Sequence, residues 1–138
     1  MAQAILVTLE KDVPGASAAY TKSATGKALA RELERVDFAA RKCKVTQPSS
    51  LLSENPAALI EEMKAQGFDP AKMRIPAEQW FPSGDGLTTV RGLIAHITAH
   101  LNDFKQPNPI LRDLKAAEAL LAAAEAARVR FHFTKGEL

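Results

Sequence analysis

The 138-residue sequence predicts an α+β fold: one mostly helical domain, residues 1–138, with three or four main helices and a small sheet formed by the N- and C-terminal strands. Three observations predict it. Segments of strand character lie near both ends of the chain. The interior between them repeats apolar residues at steps of four and three, the period of a helix packed on one side. No internal repeat, low-complexity linker or composition break divides the chain, and its length suits one core rather than two.

The first strand is Ala4 to Glu10, with Ile5, Val7 and Leu9 on one face and Ala4, Leu6 and Thr8 on the other. Both faces are apolar for most of its length, which predicts an interior strand. Pro14-Gly15 turns the chain. Ala16 to Ser23 is small and polar, has no helical period, and reads as loop. From Thr25 to Cys43 a single long helix is expected, because Leu29, Leu33, Val36, Ala40 and Cys43 share a stripe. Its outer face mixes charges of both signs, and Arg41, Lys42 and Lys44 near its end complement the helix dipole.

Asn55-Pro56 is a capping residue followed by a first-turn proline, and Gln66-Gly67 is a stop, so a three-turn helix lies between them. Leu59, Ile60 and Met63 are expected to face inward. Asp69-Pro70 and Ile75-Pro76 each open a short helical turn. Trp80 and Phe81 follow, and a ring as large as Trp80 is expected to close the core over the start of the next helix.

That next helix, Leu87 to Phe104, is the one the rest packs around. Val90, Ile94, Ile97, Leu101 and Phe104 form its apolar stripe, with Leu93 beside them. Gly92, Ala95 and Ala99 on the opposite side leave room for a second neighbour. Ser83-Gly84-Asp85-Gly86 reads as the turn before it, with Asp85 as a cap. Asn108-Pro109 starts an alanine-rich last helix that runs to about Ala127. Arg128 to Thr134 then alternates, with Val129, Phe131 and Phe133 on one side and Arg128, Arg130, His132 and Thr134 on the other. This is a half-buried strand able to pair with the first, and Lys135 to Leu138 reads as a frayed end.

Composition excludes several functions. Eighteen basic and sixteen acidic residues leave a net charge of +2, without the strongly basic footprint of a dedicated nucleic-acid binder. No run has the ~18 apolar residues of a membrane span. The single Cys43 has no partner for a disulfide or a cysteine zinc site, which fits a cytoplasmic location. Gly26-Lys27 lacks the upstream glycine and the following hydroxyl of a phosphate loop.

One cluster has a chemical reading. His96, His100 and Asp103 lie at i, i+4 and i+7, a spacing by which one helix presents ligands to a metal. The glutamate that follows the first histidine in the zinc-protease motif is replaced by Ile97. The sequence therefore leads to a small cytoplasmic interaction or accessory protein acting through its surface, on a protein partner or a second copy of itself, with no cofactor. The alternative is an enzyme binding a small molecule or a divalent transition metal at His96, His100 and Asp103, with Trp80 near the mouth. A third reading, a nucleic-acid accessory protein, rests on the basic end of the first long helix.

Overall fold

The computed structural model describes residues 3–23, 25–53, 56–72 and 77–137. The sheet is formed by strands β1 (Gln3–Leu9) and β2 (Phe131–Glu137), antiparallel, in a register running from Gln3 opposite Glu137 to Leu9 opposite Phe131. Lys135 to Glu137 thus continue the strand. The fold class is α+β, as the terminal segments predict. With only two strands the sheet has no interior strand, so both edges need partners. On the free side of β1, the Val7 amide donates to the Tyr20 hydroxyl at 2.9 Å and the Ile5 amide to the Gly26 carbonyl at 3.0 Å. On the free side of β2, Phe81 and Phe131 exchange two backbone bonds of 2.8 and 2.9 Å, and the Ser53 amide donates to Phe133.

Tyr20 reaches β1 from α1 (Ala16–Ser23), a helix in the segment that sequence reads as loop. Its Ala-Ser-Ala-Ala composition gives no apolar period, and its position is fixed by tertiary contact with the last helix. The expected helix from Thr25 to Cys43 is two helices, α2 (Lys27–Arg31) and α3 (Leu33–Lys42), broken at Glu32. The break has a cause. The Glu32 carboxylate accepts the Lys105 amide at 2.8 Å, the Gln106 amide at 3.2 Å and the Arg35 guanidinium at 2.9 Å. It caps the start of the last helix from across the molecule.

Helix α4 (Ala57–Ala65) stops as predicted and starts one residue later than expected, with Pro56 just ahead of it rather than in its first turn; Asn55 and the expected Ile75-Pro76 turn fall outside the described residues. Pro70–Lys72 forms the short turn expected after Asp69. Leu59, expected inside, is 41% exposed, and none of Leu59, Ile60 and Met63 belongs to the core.

Helix α5 (Ser83–Ala99) and helix α6 (Pro107–Ala126) pack along each other and form the centre of the core. Val90, Leu93 and Ile97 of α5 are fully enclosed with Ile110, Leu114 and Leu121 of α6, Val36 of α3 and Phe131 of β2. The Ser83-Gly84-Asp85-Gly86 segment is the first turn of α5 rather than a turn ahead of it. Ser83 is buried and its hydroxyl donates to the Val129 carbonyl at 2.6 Å. A Cβ on Gly86 would lie 2.5 Å from the Phe131 ring, so glycine is what lets this turn lie against β2. Asp85 sits in the first turn without a capping hydrogen bond.

At its other end α5 stops at His100, and Leu101–Asp103 form a 3-10 turn. Leu101, placed by its period on the core stripe, is consequently 43% exposed. The second neighbour expected beside Gly92 is Val45, whose methyl would meet an added Cβ at 2.8 Å. Ala95 and Ala99 on the same side face solvent.

Candidate functional site

The sequence-predicted trio is only partly brought together. The His96 and His100 rings stack with centroids 4.3 Å apart and planes at 20°. His100 Nδ1 lies 2.8 Å from the His96 carbonyl oxygen, an acceptor, so it is this nitrogen that carries the proton. His100 thereby satisfies one of the carbonyls that the end of α5 leaves unpaired, which is a capping role. Burial, the neighbouring His100 and Lys42 hold the His96 pKa below the ordinary imidazole value against the opposing pull of Asp103. Asp103, on the 3-10 turn, reaches the same cleft as His96. Among the described residues no group of three or more His, Cys, Asp or Glu side chains is placed to hold a metal ion.

Trp80 lies elsewhere. It is half-buried and outside the core, with its ring 4.5 Å from that of His132 on β2. His132, which alternation assigns to a polar face, is 1% exposed. Its Nε2 is 2.8 Å from Glu78 Oε2, its Nδ1 lies 3.1 Å from the Phe133 carbonyl and 3.2 Å from Thr134 Oγ1, and Thr134 Oγ1 is 2.7 Å from Thr8 Oγ1. Carboxylate, imidazole and hydroxyl stand in the order of a nucleophile relay. Both ring nitrogens are nevertheless engaged and enclosed, so the cluster ties the 78–81 segment to the sheet. No local sequence signal links Glu78 to His132, because the pair is made by tertiary packing.

The open chemistry is on α3. A cleft of about 490 Å³ runs between α3 and the end of α5, floored by Ala39 and Phe104 and edged by Phe38, Arg41, Lys42, His96 and Asp103. Phe38 is 51% exposed. The Lys42 ammonium stands 4.7 Å and the Arg41 guanidinium 5.6 Å from its ring centroid, an arrangement attractive to both partners. Glu34 and Arg35 join this cleft to a second hollow of about 570 Å³ that reaches Arg31, Lys105 and Lys135. Six cationic side chains thus line one continuous surface against three carboxylates, and Glu32 among those three is committed to the Lys105 and Gln106 amides. Periodicity gives no warning of this site, because it places Phe38 among solvated charges without marking it as apolar.

The fold and this cleft define an α+β domain with a cationic, aromatic-edged groove. Comparison of the chain with family models, with curated proteins and with solved structures finds no match. Among the described residues no helix is long and apolar enough to cross a membrane.

Proposed function

We propose that this protein is a small binding module that acts through its surface in the cytoplasm, the α3 cleft taking a protein segment that offers a bulky apolar side chain flanked by carboxylates. The observation that carries the reading is the exposed Phe38 ring beneath Arg41 and Lys42. An aromatic held in water at the edge of a groove gains by burial against a partner, and aromatic and arginine side chains are the groups enriched at such interfaces. The cations around it select acidic flanks and steer their approach.

The test is a selection of random displayed peptides on the full chain. Enriched sequences are expected to place Asp or Glu beside Leu, Ile, Met or an aromatic, and to lose binding when the bait is Phe38→Ser or Lys42→Glu. Enrichment with no acidic bias, or binding that survives both substitutions, would overturn the assignment.

The same cleft holds the alternative reading, an enzyme binding a metal or small molecule, because His96 and Asp103 share it. Stoichiometric transition metal in the purified protein, lost in His96→Ala, would favour that alternative over a peptide groove.

A further inference from the structure

Helix α4 and the turn that follows it lie outside the core among the described residues. No described residue from Ser53 to Pro82 is buried, and the main packing partner of α4 among the described elements is the Pro70–Lys72 turn beside it. A nine-residue helix of ordinary composition is too short to hold together in water alone, because nucleating it costs more than so few hydrogen bonds return. The arm still has a well-made end. The Phe68 amide donates to the Met63 carbonyl at 2.9 Å and the Gly67 amide to Lys64 at 3.1 Å, with Gly67 at φ 88°. This closure places Phe68, 53% exposed, next to Met63 in the chain's path. Leu59 and Met63 share one stripe of the helix, Glu62 flanks it and Asp69 follows Phe68, while Glu61 lies on the opposite face and Lys64 and Lys72 carry the arm's positive charges. The arm thus offers bulky apolar groups with carboxylates at their side.

These are the features the α3 cleft is built to receive. We infer that the partner of the cleft is a second copy of this chain, whose α4 arm lays Leu59, Met63 and Phe68 against Phe38 while Glu62 and Asp69 meet Arg41, Lys42 and Arg35. The inference rests on the reading of the α3 cleft as a peptide groove. Two complementary surfaces, one apolar with Glu62 and Asp69 at its side, one cationic and aromatic-edged, sit on the same molecule, and both are open to solvent. Association through them covers the apolar groups of the arm and those of the cleft together, and gives α4 the packing surface that a helix of its length requires.

The experiment is sedimentation of the full chain over a range of concentration and salt, with two variants. The arm variant carries Leu59→Ser and Met63→Ser; the cleft variant carries Phe38→Ser and Lys42→Glu. All four positions lie outside the core, so both variants should fold, which circular dichroism checks. The wild type is expected to self-associate, more weakly as salt rises, and each variant alone to lose at least tenfold in association constant. Mixing the two variants is expected to restore a complex, because one supplies an intact cleft and the other an intact arm. A wild type that stays monomeric at every concentration overturns the self-partner; if peptide selection still depends on Phe38, the cleft reading survives without it. A dimer that neither variant weakens, or variants that fail to complement, overturns the arm-in-cleft contact.

Discussion

Three buried polar side chains make contacts with opposite pH signatures. Tyr20 accepts the Val7 amide at the edge of β1, and burial, helped by the nearby Asp113 charge, pushes its pKa from 10.0 to about 12. A raised pKa means that the neutral form is favoured in the fold. Its contribution is therefore complete below pH 10 and is lost as pH rises toward 12, on the order of 2–3 kcal/mol in all. Tyr20→Phe should be about 1–3 kcal/mol less stable at neutral pH, because the Val7 amide is left without its acceptor. It should also lack this part of the alkaline decline, which denaturant titration between pH 9 and 12, about the window just given, will show; equal alkaline slopes would remove the assignment.

Glu32 has the reverse behaviour. Burial acts to raise its pKa, but the Lys105 amide, the Arg35 guanidinium and the Gln106 amide outweigh it and hold the carboxyl below its ordinary 4.5. The stability it contributes is present above that value and drains away as pH falls through the lowered pKa. Glu32→Gln should lose about 1–3 kcal/mol at neutral pH and show a flatter acid limb than the wild type in urea melts. Asp113 opposes it. Buried in α6, it accepts the Thr25 amide at 3.2 Å through Oδ1, while Oδ2 has no partner among the described residues. Burial raises its pKa above 3.8 despite the Thr25 and Gly26 amides, so its contribution is greatest at low pH and fades as pH rises.

At the scale of elements, three helices close by the same pair of backbone bonds, and only α4 uses glycine to do it. Just past the end of α3 Lys44 stands at φ 60°, and just past α6 Arg128 at φ 58°, and in each the residue that follows returns its amide to the helix, Val45 to Ala40 and Val129 to Ala124. A left-handed conformation costs a side-chain-bearing residue about 1–2 kcal/mol. Lys44→Gly is therefore expected to gain roughly 0.5–1 kcal/mol, read as a raised denaturation midpoint with unchanged slope. Gly86→Ala should do the opposite. Its helix propensity gain of ~1 kcal/mol is outweighed by the clash of the new methyl with Phe131. An unchanged or raised melting temperature would contradict the close packing at that turn.

Periodicity locates α5, α6 and both strands, because those elements bury a face and the burial leaves a period. It ran straight through Glu32 and His100, where the helices stop for reasons that periodicity does not carry: a carboxylate drawn to amides 73 and 74 residues away, and an imidazole folded back on its own helix. It missed α1 because alanine and serine leave no contrast between faces. Of the candidate site, His96 and Asp103 do border the cleft. Phe38, its most exposed aromatic, was hidden among charges on a face taken as solvated. Leu59 and Met63 were assigned inward by the same rule that succeeded for α5, since an apolar stripe says only that a helix wants a partner and not where the partner is.

For the whole molecule, the sheet is the feature that joins distant parts of the chain. Its pairs span up to 134 residues, and its outer edges are held by Tyr20, Gly26, Ser53 and Phe81. Contacts of such sequence separation carry a large loop-closure cost and slow folding as a whole. The direction of pairing also has a mechanical meaning. Gln3 and Glu137 sit side by side at the same end of an antiparallel ladder, so a force pulling those two residues apart loads one hydrogen-bonded pair at a time and peels the sheet toward Leu9 and Phe131. A force between Leu9 and Glu137 would strain the whole ladder at once. In an optical trap the first geometry should open at a markedly lower force than the second. A protein tethered through its two ends would then yield as a zipper, with its helical body still folded when the strands let go.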